Sequence, residues 1–355
     1  MEAAAGQIVA PSTRSLDELA GQLQSWLARH MPGAADLRVR DLQYPVGAGQ
    51  SHETILFDLF WTESGHARSR GLVVRIKPSP DKAVFLDDMF EEQYALMREV
   101  HRCGAVPVAE VLWLERDHAL LGAPFFVMER KRGWVPVSFP PYTGSGWFFE
   151  ATPAQRRTAW EDGLVNLGRV QQVPRQRVGF LDRTDGKLAG FDQEIDRWQR
   201  YLAWLLEEGP LPTHERVFAD LLARAPQHRP AGLVWGDARI GNMMFGEDFR
   251  VIAVMDWEQP SLGGALHDLG WWLYNEFVMT TARGIPRPQG MGTRAEALAI
   301  WSETTGIPTN DIEWYEAFAA FKGECLRLHM ASGSWVKQKT EEGSGIRYIM
   351  DKLGA

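Results

Sequence analysis

Strand-like patterns in this 355-residue chain are concentrated in its first 130 residues, whereas helical patterns dominate the remainder. The first part contains alternating or short apolar segments, interrupted by one helical pattern at residues 85–100. The predicted strands are residues 37–44, 54–61, 71–76, 108–114 and 124–128. A short polar link joins the second strand to the third, which predicts antiparallel neighbours. The distribution therefore predicts an α+β fold with an antiparallel sheet.

Local signals define several of these elements. The alternation in the first strand slips by one residue at Asp41, which predicts a β-bulge. Ser15 and Glu18 form a predicted capping box for an amphipathic helix that ends near His30. Thr152, Pro153 and Gln155 predict a second helix start. Further long helices are predicted at Phe191 to Leu206 and at Trp314 to Met330, and the segment from Lys131 to Glu150, rich in Gly, Pro and Ser, predicts a hinge region.

Charge and cysteine content narrow the possible classes of protein. The chain has 38 Lys and Arg against 46 Asp and Glu, so its formal net charge of −8 gives no basic footprint for nucleic acid. Cys103 and Cys325 are the only cysteines and suggest no disulfide framework. The first residues lack a secretory signal, and no apolar run is long enough for a membrane span. A cytoplasmic protein that binds neither nucleic acid nor membrane is expected, with its oligomeric state left open.

One segment carries the clearest chemical pattern. Gly236-Asp237 follows an apolar pair, Asn242 comes five residues after Asp237, and a second apolar strand, residues 251–255, ends at Asp256. A predicted hairpin with its turn at residues 246–248 would bring the three polar side chains together. Phosphoryl transfer uses one carboxylate to orient the attacking hydroxyl, and an amide oxygen with a second carboxylate to hold Mg²⁺.

This pattern resembles the catalytic segment of the aminoglycoside phosphotransferase and choline-kinase-like family, which has a two-lobed protein-kinase-like fold. Within that family it is similar to the subgroup related to kinase-like domains fused to acyl-CoA dehydrogenases. The matching residues are Gly236, Asp237, Arg239, Gly241, Asn242, Phe245, Asp256-Trp257-Glu258 and Asp268-Leu269.

The resemblance implies roles for the matching residues. Asp237 would be the catalytic base, and Asn242 and Asp256 would bind Mg²⁺. Asp268 would brace the catalytic loop. Arg239, also placed at the catalytic site, would contact substrate or phosphate, or form a salt bridge near the loop. The family's histidine is replaced by Trp235, a change expected to alter packing rather than to abolish chemistry.

The first half of the chain carries the residues expected to bind nucleotide. Gly47, Gly49 and Ser51 lie in a segment similar to the family's nucleotide loop, in which His52 replaces an asparagine. Glycines allow backbone N–H groups to approach phosphate oxygens closely. Arg75 stands where a protein kinase has its phosphate-binding lysine.

Two further expectations concern the same half. Glu92 on the following helix is the expected ion-pair partner of Arg75, and Lys77, on the same strand face as Arg75, is the alternative phosphate-binding residue. The resemblance also places the hinge at residues 125–130, where the backbone at Met128, Glu129 and Arg130 would hold adenine.

The resemblance covers about residues 37–330, and the helical pattern before it predicts an N-terminal helical extension at residues 1–36. A smaller N-lobe of antiparallel sheet plus helix follows at residues 37–130, and a mainly helical C-lobe at residues 131–355. It implies an ATP- or GTP- and Mg²⁺-dependent phosphotransferase, a kinase whose acceptor is the hydroxyl of a small molecule. The alternative is a nucleotide-binding pseudokinase with a regulatory or scaffolding role. A protein-serine kinase is less favoured because only residues 259–267 separate Glu258 from Asp268.

The acceptor is the least determined part of this prediction. Glu258, Asp268 and Glu276 could favour a polycationic aminoglycoside, but an apolar hydroxylated compound, macrolide-like or hydroxyacyl, is preferred. The chain has 15 tryptophans against 7 tyrosines. Most of these indoles are expected in the core, and some could line an apolar acceptor pocket.

Overall fold

The predicted strands of the first part form one five-stranded antiparallel sheet. The computed structural model describes residues 14–45, 52–79, 83–182, 190–330 and 343–354. The chain divides into two compact units, Met1–Val84 with Ala109–Arg132, and Phe85–Val108 with Gly133–Ala355. We call them unit 1 and unit 2. A sheet in one unit and mostly helices in the other confirm the predicted α+β class.

The described residues of unit 1 form the sheet and two helices. Its elements are α1 (Leu16–His30), β1 (Ala35–Gln43), β2 (Glu53–Glu63), β3 (His66–Ile76), β4 (Val111–Glu115), α3 (His118–Leu121) and β5 (Phe125–Glu129). The strand order is β1-β2-β3-β5-β4, and every neighbouring pair is antiparallel. The bulge predicted at Asp41 is confirmed, because the register of β1 shifts between Arg40 and Gln43 and Asp41 has a φ of +57°.

The core of unit 1 lies between α1 and one face of the sheet. Leu19, Leu23, Trp26 and Leu27 from α1 are fully buried against the inward-facing residues of β1, β2, β3 and β5. Ser15 is the N-cap of the helix as predicted, its hydroxyl accepting a hydrogen bond from the Glu18 N–H at 3.4 Å, while the reciprocal bond from the Glu18 side chain stays a prediction. Helix α1 therefore shares its core with the sheet, and the sequence-based boundary after residue 36 stays a prediction.

Unit 2 is mainly helical and contains one two-stranded hairpin. Its helices are α2 (Phe90–Cys103), α4 (Gly146–Glu150), α5 (Pro153–Arg169), α6 (Phe191–Leu206), α7 (Pro212–Ala223), α8 (Leu266–Met279), α9 (Arg294–Thr305), α10 (Ile312–Met330) and α11 (Ser344–Leu353). The hairpin strands are β6 (Met243–Phe245) and β7 (Val251–Val254), which pair antiparallel as predicted. Within the described ranges, no helix is both long enough and apolar enough to cross a membrane.

Helix α2 corrects one predicted boundary. It begins at Phe90 rather than at Phe85 and continues to Cys103 rather than Val100. Asp87 forms two 2.9 Å hydrogen bonds with the guanidinium of Arg200 on α6, which holds the chain before Phe90 in a bend. The helix ends where Gly104 adopts a left-handed conformation with a φ of +67°, a common helix stop. The start of α2 thus depends on a contact with a residue distant in sequence, which the apolar periodicity of the segment could not predict.

The capping box of α5 leads to a stability prediction. The Thr152 hydroxyl accepts the Gln155 N–H at 3.3 Å, and Gln155 Oε1 accepts the Thr152 N–H at 2.9 Å. Thr152→Ala should lower the free energy of unfolding by about 1 kcal/mol, the usual effect of losing such a cap. Thr158→Ala, at a half-buried position inside the same helix and away from its cap, is the matched control and should change the free energy of unfolding by less than about 0.5 kcal/mol. Urea unfolding measures both; equal losses would contradict the capping role.

Candidate active site

Asp268 holds the loop that precedes Asp237. Its carboxylate oxygens Oδ2 and Oδ1 accept the backbone N–H groups of Trp235 at 2.6 Å and of Gly236 at 3.0 Å. Asp268 lies on the first turn of α8 and is 1% exposed. Burial raises the pKa of Asp268 to about 6, although the two N–H groups stabilise its charged form. The predicted bracing of the loop by Asp268 is confirmed.

Gly236 lets the chain turn tightly before Asp237. Its φ is +107°, a conformation that other residues rarely adopt. A Cβ atom added at Gly236 would lie 2.4 Å from the carbonyl oxygen of Gln259. Glycine is therefore required here both by backbone conformation and by the close approach of a second chain segment.

The Asp237 carboxylate accepts hydrogen bonds from three side chains. Arg239 Nε lies 3.1 Å from Oδ1 and 3.0 Å from Oδ2. Asn242 Nδ2 lies 2.6 Å from Oδ2, and Trp271 Nε1 lies 2.7 Å from Oδ1. The Asp237 side chain nevertheless remains 26% exposed. The carboxylate is thus oriented by the protein while still accessible from solvent.

The hairpin places Asn242 and Asp256 beside each other. Asn242 ends a short helical turn immediately before β6, and Asp256 comes shortly after β7 with a φ of +61°. The N–H of Met255 donates to the carbonyl oxygen of Asn242 at 2.9 Å, so the two ends of the hairpin are joined. The segment that bears Asp256 therefore lies next to Asn242, which itself bonds to Asp237; a shared metal site for Asn242 and Asp256 stays a prediction.

The donor set at this hairpin fits Mg²⁺. Asn242 uses its amide nitrogen on Asp237, which leaves the amide oxygen as the atom that can ligate a metal. Asp256 adds a carboxylate, and Mg²⁺ commonly takes only one or two protein ligands and completes its shell with phosphate and water. In the part of the chain that the structure describes, no group of three or more His, Cys, Asp or Glu side chains could hold a metal. Two protein ligands at this hairpin suit a site in which phosphate oxygens and water supply the other ligands of Mg²⁺.

Arg239 forms the salt bridge that was one of its two predicted roles. Besides Asp237, its Nη1 donates to the hydroxyl of Ser138 at 2.8 Å. Burial disfavours its charge, but the neighbouring Asp237 carboxylate leaves the pKa of Arg239 above its usual value. A Cβ at Gly241 would lie 2.5 Å from Arg239 Nη1 and 3.1 Å from the carbonyl oxygen of Pro136. The glycine of this motif thus makes room for its arginine.

Trp235, which replaces the family's histidine, is a structural residue of the hairpin. It is fully buried, and its indole Nε1 donates to the carbonyl oxygen of Met255 at 2.8 Å. Its ring lies 5.7 Å from that of Trp257, whose Nε1 donates to the carbonyl oxygen of Val254 at 3.0 Å. Two indoles therefore support the backbone that leads into Asp256.

Two neighbours of the site were missed by the sequence reasoning. Trp271 had a usable signal, because it follows Asp268 by three residues and so lies on the same face of a helix. Ser138 had no such signal, since it meets Arg239 across 101 residues of sequence. Only the folded chain reveals contacts of the second kind.

The predicted nucleotide-binding residues belong mostly to unit 1. Gly47, Gly49 and Ser51 lie outside the described residues. Arg75 is 9% exposed on β3, and its Nη2 is 3.2 Å from Nδ1 of His52, the residue that replaces the family's asparagine. The first turn of α2, in unit 2, contains Glu92. The ion pair between Arg75 and Glu92 stays a prediction.

The predicted hinge residues are closely tied to the sheet of unit 1. Met128 and Glu129 end β5, and the N–H of Glu129 donates to the carbonyl oxygen of Glu110 at 2.8 Å. The N–H of Arg130 donates to the carbonyl oxygen of Gly71 at 3.0 Å, and the Arg130 guanidinium pairs with Asp58. An adenine bound at this segment would therefore need backbone groups other than these two donors.

A buried histidine lies beside the bracing aspartate and makes stability depend on pH. His267 is 1% exposed, with its ring 5.0 Å from that of Tyr315 and 5.6 Å from that of Phe318. Burial lowers the pKa of His267 to about 3. Because the unfolded chain then binds more protons below pH 6.5, His267 reduces stability as the pH falls. Asp268 acts in the opposite direction, since its raised pKa favours proton uptake by the folded state near pH 6.

We expect His267→Phe to remove part of this acid sensitivity. Between pH 7 and pH 5, a histidine that is buried uncharged lowers the free energy of unfolding by about 2 kcal/mol, and the variant should lose that contribution. Urea unfolding at the two pH values measures the difference. His101→Gln, at an exposed position on α2, is the control and should follow the wild type. Identical pH dependence in His267→Phe and wild type would contradict the assignment.

Comparison with known proteins adds an independent line of observation. Residues 45–306 match the family model described as "Phosphotransferase enzyme family". Among curated proteins, the chain is 26% identical over 325 residues to "Probable acyl-CoA dehydrogenase IBR3" of Arabidopsis thaliana, covering 85% of this chain and 37% of that protein. It is 28% identical over 323 residues to acyl-CoA dehydrogenase family member 10 of Mus musculus, covering 86% of this chain and 27% of that protein. The chain thus spans about a third of the length of these relatives.

Solved structures share the fold. A candidate aminoglycoside phosphotransferase of Ralstonia eutropha JMP134 has a TM-score of 0.69 at 23% identity, covering 94% of this chain and 98% of its own. The GDP and kanamycin complex of APH(2″)-IIIa has a TM-score of 0.56 at 11% identity, covering 93% of this chain and 98% of its own. A type I macrolide 2′-phosphotransferase has a TM-score of 0.54 at 13% identity, covering 97% of this chain and 98% of its own. These likenesses confirm the predicted fold class.

Proposed function

Because this chain belongs to the phosphotransferase enzyme family, we propose that it transfers the γ-phosphoryl group of ATP to a hydroxyl group of a small molecule. The observation that carries the proposal is the grouping of Asp237, Asn242 and Asp256 around one hairpin. Asn242 bonds to the Asp237 carboxylate at 2.6 Å and is joined through Met255 to the segment that bears Asp256. This is the inventory of groups that phosphoryl transfer needs.

Each residue of the group has a task in this reaction. Asp237 accepts the proton of the attacking hydroxyl and orients it towards the γ-phosphorus. Asn242 and Asp256 hold Mg²⁺, and a bound Mg²⁺ would neutralise charge on the phosphate oxygens. Arg239 keeps a positive charge at the site whatever the protonation of its neighbours, because a guanidinium stays charged in proteins. In unit 1, Arg75 and the segment with Gly47, Gly49 and Ser51 are proposed to contact the phosphates, with adenine, or guanine if GTP is used, near Met128, Glu129 and Arg130.

The acceptor is proposed to be a hydroxylated compound that is not a polycation. The three carboxylates expected to attract an aminoglycoside are all buried: Glu258 is 8%, Asp268 1% and Glu276 5% exposed. Two of them have other tasks, since Asp268 holds the loop and Glu276 accepts the indole N–H groups of Trp160 and Trp272. These carboxylates therefore provide little attraction for an amino sugar.

The loop next to the site supports an apolar or mixed acceptor. Ser138 bonds to Arg239, and the adjacent Phe139 is 81% exposed with the Arg283 guanidinium 5.2 Å from its ring centre. An exposed aromatic ring and a guanidinium favour an apolar body over a cationic one. The relatives are named for acyl-CoA chemistry, which supports a hydroxyacyl compound as the first acceptor to test and a macrolide-like compound as the second.

Thermal stability with nucleotides and acceptors provides a first test. Mg²⁺-ATP should raise the melting temperature, because a ligand that binds only the folded state stabilises it. A hydroxyacyl thioester, a macrolide and kanamycin are then compared on the Mg²⁺-nucleotide complex. A further rise with either of the first two and none with kanamycin supports the proposed acceptor class. A rise with kanamycin alone would contradict it.

A nucleotide-binding pseudokinase is the second candidate. It is favoured by Trp235, His52 and Arg75, which depart from the residues usual at these positions, and by the engagement of both Asp237 oxygens by Arg239. It predicts nucleotide binding without transfer. Any acceptor-dependent conversion of ATP to ADP and a phosphate ester would exclude this candidate.

A further inference from the structure

We propose that Trp271 is a positioning residue that holds the Asp237 carboxylate for phosphoryl transfer; the inference rests on the proposed function. The indole Nε1 of Trp271 donates to Oδ1 of Asp237 at 2.7 Å. A hydrogen bond from a neutral donor to a carboxylate is among the stronger kinds in proteins. Trp271 does not need to touch substrate for this role, because it acts through the base.

Trp271 differs from the other two donors in where it comes from. Arg239 and Asn242 lie two and five residues after Asp237 and belong to the same loop. As members of this loop they hold the carboxylate locally, and Arg239 also links it to the hydroxyl of Ser138. Trp271 lies on α8, a 14-residue helix, and so connects the carboxylate to a rigid element.

One turn of α8 holds three successive loop residues. Asp268 accepts the backbone N–H groups of Trp235 and Gly236, and Trp271, one turn later, donates to the side chain of Asp237. Residues three apart share a helix face, so both anchors approach the loop from the same side. The backbone and the reactive side chain are thereby positioned by a single element.

The indole of Trp271 has little freedom to move away. It is 7% exposed, and the ammonium of Lys322, on α10, lies 5.1 Å from the centre of its ring. Lys322 is itself only 3% exposed, so this cation–π contact is shielded from water, where such contacts are strongest. The backbone carbonyl of Trp271 also accepts a 2.9 Å hydrogen bond from Asn275 Nδ2.

The arrangement of donors defines where an acceptor hydroxyl can approach. Trp271 bonds to Oδ1 and Asn242 to Oδ2, whereas Arg239 is shared between both oxygens. Each carboxylate oxygen has about two lone-pair directions. Trp271 and Asn242 each occupy one direction, so a hydroxyl that bonds to the carboxylate must take one of the directions that Arg239 now shares. Without Trp271 the carboxylate can pivot about its bond to Asn242, and the hydroxyl loses its defined partner.

Trp271→Phe tests this role, with Trp272→Phe as the matched control. Trp272 is the next residue of α8, is also buried, and donates to the carboxylate of Glu276 at 3.0 Å, away from the catalytic loop. Trp271→Phe should lower kcat by about 10- to 100-fold, since a misplacement near 1 Å can have effects of that size. The KM values for ATP and acceptor should change by less than about 3-fold, and kcat should be unchanged in Trp272→Phe.

Two kinetic results would overturn the proposal. A kcat within about 2-fold of wild type for Trp271→Phe would show that the hydrogen bond does not position the base. An increase in acceptor KM with unchanged kcat would show that Trp271 is a wall of the acceptor pocket instead.

An NMR measurement that needs no turnover separates this proposal from the proposed function. The indole ¹H–¹⁵N signal of Trp271 is identified by its loss in Trp271→Phe. In Asp237→Ala it should move upfield and exchange faster with solvent, whereas the Trp272 signal should stay in place. An unchanged Trp271 signal would refute the contact itself. If the indole responds but the wild type transfers no phosphate to any acceptor, the proposed function fails and the contact between Trp271 and Asp237 stands.

Discussion

Asp237→Asn should lower kcat by about 1000-fold, the middle of the range attributed to a positioned general base. The asparagine keeps the size of the side chain but cannot take up the proton of the acceptor hydroxyl. In the wild type, Asn242 Nδ2 and Trp271 Nε1 each donate to a carboxylate oxygen of Asp237; in the variant, the new amide nitrogen would face one of these two donors. Binding of Mg²⁺-ATP, measured by calorimetry, should change by less than about 3-fold, because Asp237 is not one of the proposed metal ligands.

The control for this variant is Asp248→Asn in the hairpin turn. Asp248 is exposed and accepts a local bond from the Arg250 N–H at 3.1 Å. Asp248→Asn also removes one negative charge from this part of the chain, and its kcat should stay within about 2-fold of the wild-type value. Equal turnover by Asp237→Asn and wild type would show that another group acts as the base.

Gly236→Ala should lower the free energy of unfolding by about 3 kcal/mol and abolish most activity. Two effects combine: a left-handed backbone disfavours alanine by about 1–2 kcal/mol, and overpacking against a fixed backbone adds a similar amount. The new Cβ would lie 2.4 Å from the carbonyl oxygen of Gln259, so the loop or the facing segment must shift. Either shift displaces the N–H groups of Trp235 and Gly236 from Asp268. Urea unfolding and kcat are the measurements.

Gly284→Ala separates the two effects. Gly284 also has a positive φ, +65°, but a Cβ there would have no neighbour within 4 Å. Gly284→Ala should lower the free energy of unfolding by only about 1 kcal/mol, from backbone strain alone, and should retain full activity. If Gly236→Ala were no less stable than Gly284→Ala, the close approach to Gln259 would not constrain the loop.

Local patterns predicted the elements of the fold well because their causes are local. The bulge at Asp41, the caps at Ser15 and Thr152 and the hairpin before Asp256 all follow from residues within a few positions of one another. The bracing by Asp268 was predicted through the family resemblance and is confirmed by its bonds to the loop. The start of α2 was predicted wrongly because Arg200, over a hundred residues away, holds Asp87 outside the helix.

The same distinction applies to the site. The spacing of Asp237, Asn242 and Asp256 predicted their grouping, because a hairpin returns the chain over a known distance. The bond that Arg239 donates to Ser138 depends on how distant elements pack, which no local pattern specifies. The bond from Trp271 to Asp237 also joins distant elements, although the spacing of Trp271 from Asp268 was a usable signal for it. The roles of Gly47, Gly49 and Ser51, which lie outside the described residues, stay predictions.

The many tryptophans have a role that composition alone did not reveal. Most are buried, as expected, but several indole N–H groups also hold fixed acceptors. Trp235 and Trp257 bond to the hairpin backbone, Trp272 bonds to Glu276, and Trp271 bonds to Asp237. Phenylalanine could fill the same volumes but could not donate these bonds. Trp235 and Trp257 therefore give the catalytic hairpin part of its hydrogen bonding as well as part of its core.

Phosphorus NMR of the wild-type protein with ATP, Mg²⁺ and a hydroxyacyl or macrolide-like acceptor tests the central claim most directly. The account predicts a new phosphate monoester signal that grows as ADP forms, requires the acceptor, and is nearly absent with Asp237→Asn. If the protein binds Mg²⁺-ATP yet leaves its three phosphorus signals unchanged with every acceptor, it is not a phosphotransferase, and the hairpin of Asp237, Asn242 and Asp256 serves nucleotide binding alone.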